Sequence, residues 1–163
     1  MGQCLGHRYR IDKLMGQGGF GKVFLAHDKQ LPGNPVCVVK QLNPIHTDAL
    51  ETATRLFNLE AKTLYQLGEH PQIPRLLAHF EENGEYILGQ SLEDELTADP
   101  MTVEQVVGCL RDLLRVLAAV HSQSVIHRDI KPSNILRRQT NGQLVLIDFG
   151  AVKALHTSPS LDL

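Results

Sequence analysis

Cysteine is scarce in this chain. Cys4, Cys37 and Cys109 are odd in number and far apart, which excludes a disulfide framework and matches no zinc-ligand spacing. Such usage suits a reducing compartment, so a cytoplasmic location is expected. No apolar run is long enough to span a bilayer, and the N-terminus carries no apolar core of a signal peptide. Met1-Gly2-Gln3-Cys4-Leu5-Gly6 lacks the Ser or Thr that favours myristoylation. Charge of one sign is nowhere concentrated. The net charge is −2 and no long basic run occurs, which argues against a nucleic-acid or membrane-surface partner. Internal repeats and low-complexity tracts are absent. His7, His27, His46, His70, His79, His121 and His156 show no ligand spacing and read as structural or solvated.

What is present is enough for one globular domain: 163 residues, 42% hydrophobic and 21% charged. Two stretches organise it. His127-Arg128-Asp129-Ile130-Lys131-Pro132-Ser133-Asn134 packs a carboxylate, two cations, a histidine and an amide into eight residues. Pro132 removes a backbone donor and disfavours the helical region for Lys131, so this is loop. Leu144-Val145-Leu146-Ile147-Asp148-Phe149-Gly150 reads as a buried strand that delivers a carboxylate to its end. Asn141-Gly142 between them is a strong hairpin signal. The hairpin brings Asp148 near Asn134, two oxygen ligands suited to a hard cation.

Upstream, Tyr9 to Met15 and Lys22 to Ala26 read as strands flanking Gly16-Gln17-Gly18-Gly19-Phe20-Gly21. A glycine-rich turn allows close backbone approach to phosphates, although a plain glycine hairpin has the same pattern. A Rossmann site needs a helix after the glycines, where Val23-Phe24-Leu25 reads as strand. Gly16 to Lys22 also fits Gly-x4-Gly-Lys, but Val23 stands where a P-loop needs Ser or Thr. Val36-Cys37-Val38-Val39-Lys40 is a buried-type strand whose lysine could simply snorkel from the sheet edge. Thr52 to Leu67 is a predicted helix, with Leu56, Leu59, Leu64 and Leu67 as its apolar stripe and Glu60 on the margin. Gly68 and Pro71 end it. Arg75 to Phe80 is a strand, and Glu82-Asn83-Gly84-Glu85 a hairpin. Thr102-Val103-Glu104-Gln105 is a capping box. It opens a helix to about His121 with a broad apolar face: Val103, Val106, Val107, Leu110, Leu113, Leu114, Leu117 and Val120. Cys109 reads as a small core residue.

His-Arg-Asp with its downstream Asn, followed by Asp-Phe-Gly, resembles the catalytic loop and metal-binding motif of eukaryotic-type protein kinases. Lys131, two residues after Asp129, resembles the serine/threonine branch. Gly-Gln-Gly-Gly-Phe-Gly and Gly150-Ala151-Val152-Lys153 are similar to bacterial members, cyanobacterial ones in particular. The resemblance implies an α+β, kinase-like two-lobe fold: a small lobe of antiparallel sheet plus one helix, and an incomplete helical lobe. It implies ATP and Mg2+, and a protein substrate bearing a Ser or Thr hydroxyl. It assigns nucleotide contacts to Gly16, Gly18, Gly19, Phe20, Gly21, Val23, Val38, Lys40 and Leu136. Glu60 becomes the partner of Lys40, Asp129 the group that accepts the hydroxyl proton, and Lys131 a neighbour of the γ-phosphate. Asn134 and Asp148 become the metal ligands.

Two departures from the family pattern follow. Tyr86-Ile87-Leu88 before Gly89 is too short for a whole strand plus the hinge, so one mid-sheet strand of the small lobe is expected to be shortened or missing. Thirteen residues follow Gly150, so the helical lobe is expected to stop about halfway. The expected layout is 1–90 as small lobe, 91–150 as partial helical lobe and 151–163 as the start of an activation segment or a tail. Thr157 and Ser158 are phosphorylation candidates by position, and Arg128 is expected to lack a phosphorylated partner. An exposed apolar patch is expected from Leu110, Leu113, Leu114 or Leu117, offering a route to self-association. Alternatives to catalysis are a kinase-derived nucleotide-binding or interaction module and a decayed gene fragment.

Overall fold

The structure is a computed structural model that describes residues 3–18, 21–42, 47–68, 70–82, 84–91, 102–138 and 141–154. Its main sheet has six strands: β1 (Cys4–Leu5), β2 (Tyr9–Gly18), β3 (Gly21–Asp28), β4 (Val36–Leu42), β5 (Leu76–Glu82) and β6 (Glu85–Ser91). They lie in the order β1-β2-β3-β4-β6-β5, antiparallel throughout. Helix α1 (Thr47–Leu67) stands between β4 and β5 in the chain, and α2 (Val103–Ser122) follows the sheet. Two small antiparallel pairs follow α2. β7 (Val125–Ile126) pairs with β10 (Lys153–Ala154), and β8 (Ile135–Arg137) pairs with β9 (Leu144–Leu146).

The stretch where a shortened or missing strand is expected from sequence forms the mid-sheet strand β6. β6 runs seven residues, through Gly89 and Gln90 to Ser91, and is paired with β4 on one side and β5 on the other. Glu82 pairs with Glu85, which closes the expected hairpin, and Gly84 takes the positive φ of 79° that its tight turn requires.

Helix α1 buries Ala53, Phe57, Glu60, Ala61, Leu64 and Leu67, residues spaced three and four apart along one face. Glu60 therefore sits within the buried face rather than on its margin, while Leu56 and Leu59 are half-buried. Gly68 ends the helix in the left-handed region, its N–H donating to Leu64 O at 3.2 Å. Below α1, the larger core joins Phe57, Leu64, Leu88, Val116, Val120, Leu146 and Phe149. A second core covers the other face of the sheet, built from Leu5, Tyr9, Phe24, Ala26, Cys37, Val39 and Ile87.

Thr102 caps α2 as expected: its Oγ1 accepts from Gln105 N while Gln105 Oε1 accepts from Thr102 N. The broad buried face does not form. Only Val116 and Val120 are fully buried, with Leu113 and Leu117 half-buried against the larger core. Val103 (75% exposed), Val106, Val107, Leu110 (55%) and Leu114 (67%) are open. The expected patch thus includes Leu110 and Leu114 but not Leu113 or Leu117. Cys109 is half-buried rather than core, and its Sγ accepts from Arg137 Nη2 at 2.5 Å.

Candidate active site

Three elements bring the site together. β2 and β3 carry the glycine-rich turn, with Gly18 opposite Gly21 in the register. Strand on both sides excludes the Rossmann arrangement, which needs a helix there. A Cβ at Gly21 would overlap the backbone carbonyl of Gln41 in β4, so glycine here lets the turn lie close over that strand. β4 projects Lys40 toward α1. The β8–β9 hairpin sets the third element: Ile147 N donates to Asn134 O at 2.9 Å, which holds the chain before Asp148 against the loop before β8.

Lys40 Nζ donates to Glu60 Oε1 at 2.5 Å and to Asp148 Oδ1 at 2.8 Å. Burial alone would lower the Lys40 pKa, but Glu60 and Asp148 outweigh it and hold the ammonium above its ordinary value. Burial likewise pushes the Asp148 carboxyl up, yet Lys40 brings it below its ordinary value. Asp129 Oδ2 accepts from Lys131 Nζ at 2.8 Å and from Asn134 Nδ2 at 2.9 Å. Lys131 and Asn134 keep the Asp129 carboxyl low and ionised. The loop is held from inside by His127, whose Nε2 lies 3.0 Å from Ile147 O and whose ring meets Phe149 edge-on at 4.7 Å. Burial pulls the His127 pKa down, and Phe149 is fully buried in the larger core under α1.

Arg128 and Asp148 both hold left-handed backbone, with φ of 67° and 64°. Non-glycine residues there cost of order 1–3 kcal/mol and persist where their surroundings fix them. Arg128 Nε donates to Ala151 O at 2.7 Å, and Asp148 is held by Lys40. Arg128 thus has a backbone partner, while Thr157 and Ser158 lie outside the described residues.

A cavity of about 720 Å³ opens between these elements. Of the residues expected from sequence, it is lined by Gly18, Gly21, Val23, Lys40, Glu60, Asp129, Lys131 and Asp148. Gly16, Val38, Leu136 and Asn134 do not line it, and Gly19 and Phe20 lie outside the described residues. Not expected from sequence to line it are Lys22, Leu42 and the α1 residues Ala53, Leu56 and Phe57, and the α1 side chains give the cavity an apolar wall. Their only sequence signal was the helical spacing of α1, which does not reveal what the helix faces.

Asn134 is buried, and its amide nitrogen is spent on the Asp129 carbonyl and carboxylate. That leaves the amide oxygen for another donor or a cation. With the Asp148 carboxylate it fits the hard, oxygen-seeking chemistry of magnesium. Among the described residues no cluster of three or more His, Cys, Asp or Glu is suited to a metal, so phosphate and water would supply the remaining ligands.

The protein kinase domain family matches residues 9–162. The chain belongs to the protein kinase family. This kinase domain is 49% identical over 158 residues to serine/threonine-protein kinase B of Synechocystis sp., a match covering 91% of this chain and 28% of the relative. It is 45% identical over 163 residues to serine/threonine-protein kinase PknA of Nostoc sp., covering 94% of this chain and 29% of the relative. The chain thus spans less than a third of the length of these curated relatives. Among the described residues no helix is long and apolar enough to cross a membrane.

Proposed function

We propose that this chain carries the nucleotide-binding and catalytic centre of a serine/threonine protein kinase that transfers the ATP γ-phosphoryl group to a protein Ser or Thr hydroxyl in the cytoplasm. The observation that carries this reading is the bridge from Lys40 to both Glu60 and Asp148, with Asp129, Lys131 and Asn134 hydrogen-bonded into one cluster beside it. On this reading residues 1–90 are the small lobe, 91–150 belong to the helical lobe and 151–163 begin an activation segment or tail.

The chemistry asked of these side chains is positioning and electrostatics. Gly16, Gly18 and Gly21 let backbone N–H groups approach the phosphates. Lys40, fixed by Glu60, orients the α- and β-phosphates. Asn134 and Asp148 would hold magnesium, whose charge would offset that of the transferring group. Asp129, ionised and held by Lys131 and Asn134, accepts the hydroxyl proton as the acceptor oxygen attacks the γ-phosphorus and the bond to the β,γ-bridging oxygen breaks, releasing ADP. Lys131 offers its ammonium to the charge that develops on the γ-phosphoryl oxygens. Val23, which lines the cavity, supplies apolar contact to the base.

The test is labelled phosphate transfer from magnesium-ATP to a Ser/Thr-containing acceptor protein. Asp129→Asn should lower the rate at least about 10²-fold, the typical worth of a positioned general base, while retaining nucleotide binding. Equal rates in the variant and the parent chain would overturn the assignment.

A further inference from the structure

The Arg8-Tyr9 dipeptide, at the start of β2, reaches three strands on the side of the sheet remote from α1. Arg8 is anchored first. Its Nε and Nη2 donate to Asp28 at 2.9 and 2.6 Å, and Asp28 is fully buried. Its Nη2 also reaches Leu77 O at 3.4 Å. Leu77 is the extra residue of a bulge, because Leu76 pairs with Gln90 and Ala78 with Gly89. A bulge leaves a backbone group outside the ladder, and Arg8 takes it up.

Tyr9 presses on the strand opposite that bulge. Its ring is fully buried, stacked on Phe80 at 6.4 Å with the Arg8 guanidinium 5.2 Å from its centroid. A Cβ on Gly89 would overlap the Tyr9 hydroxyl and fall 2.5 Å from its Cζ. The tyrosine is thus seated in the notch that a glycine leaves in β6. Phe80 is seated in the same way by Gly6, where a Cβ would overlap its ring. The ring cannot swing away without breaking this stack and opening the second core.

Gly89 is the last residue before Gln90 and Ser91, which pair with Val38 and Cys37 at the end of β6. Here β6 is paired directly with β4, Gly89 opposite Val39 and Leu88 opposite Lys40, which lines the cavity. We propose that Tyr9 is a positioning residue for the nucleotide site: through Gly89 it fixes the height of the end of β6 from the opposite face of the sheet. The proposal rests on the nucleotide-site reading, and a glycine is required at position 89 because a tyrosine stands at position 9.

The test uses Gly89→Ala, Tyr9→Leu and the double variant in the full chain. Amide hydrogen exchange over residues 86–91 and the magnesium-ATP dissociation constant are both read. Gly89→Ala should speed exchange in that segment and weaken nucleotide binding roughly tenfold. Tyr9→Leu in the same chain should restore both, because it removes the atoms the new Cβ meets. Purely structural damage would instead accumulate in the double variant. Wild-type behaviour of Gly89→Ala in both readouts overturns the proposal, as does a double variant worse than Gly89→Ala alone. If the parent chain binds no magnesium-ATP, the nucleotide reading fails and the exchange rescue alone decides whether Tyr9 positions β6. If Gly89→Ala does not fold, a folded double variant is the rescue and supports the proposal, while an unfolded one overturns it.

Discussion

Lys40 and Glu60 form a near-buried ion pair, Nζ to Oε1 at 2.5 Å, with side-chain exposures of 15% and 4%. Removing one partner of such a pair strands the other in a poorly solvated place. Lys40→Met should therefore destabilise the chain by about 3–5 kcal/mol. Glu60→Gln should cost less, because Asp148 still faces Lys40. The double variant Lys40→Met/Glu60→Leu should recover much of the loss, since an apolar replacement of both charges is often near neutral. Urea unfolding measures all three. A cost for Lys40→Met no larger than the about 0–1 kcal/mol of an exposed pair would contradict this account of the pair.

Burial holds His127 below its ordinary pKa, and burial shifts His70 and His79 the same way. The sign follows from linkage. As pH falls past the unfolded histidine value of about 6.5, the unfolded chain takes up protons that the folded chain resists, so folding stability declines. Above that value the histidines contribute no slope. Asp148, whose folded pKa is depressed, loses its contribution only at lower pH, as the medium passes below the unfolded value of about 3.9. Urea midpoints should stay flat from about pH 8 to 7 and fall toward pH 5. In His127→Asn the slope should shrink. A midpoint that rises on acidification through this range would count against a neutral, buried His127.

Much of the site was legible because it is carried by short contiguous motifs. The Asn-Gly turn, the proline after Lys131 and the Thr102 capping box each fix local geometry with residues close in sequence. The strand β6 was not legible. Glycine inside a strand reads as an interruption, and Gln90 is polar yet buried, so the apolar pattern stops at Leu88. The reason for Gly89 is Tyr9, eighty residues earlier, which no local pattern reveals. Likewise the spacing of α2 predicts one broad buried face, but only its last turns meet the core. Periodicity gives the face of a helix, not what stands opposite it.

Val103, Val107, Leu110 and Leu114 recur at intervals of four, three and four residues on α2, all exposed. Such a row marks an interaction surface or an aggregation liability. The purified chain should self-associate through it. Leu110→Glu/Leu114→Glu should shift sedimentation toward monomer while leaving the melting temperature within a few degrees, because neither side chain is buried. A parent chain that is monomeric across the concentration range and does not bind a hydrophobic dye would refute self-association.

If Lys40, Glu60 and Asp148 form part of a magnesium-nucleotide site, ligand binding stabilises the folded chain. The most direct measurement is the melting temperature of the chain with and without magnesium-ATP, in parallel with Lys40→Met. At about 100 times the dissociation constant, ligand binding adds about 2.7 kcal/mol to stability. For a chain of this size that raises the melting temperature by roughly 5–10 °C. The parent chain should show such a rise, and Lys40→Met should lose it or show a sharp reduction. No rise in the parent, or an equal rise in the variant, would contradict the site assignment.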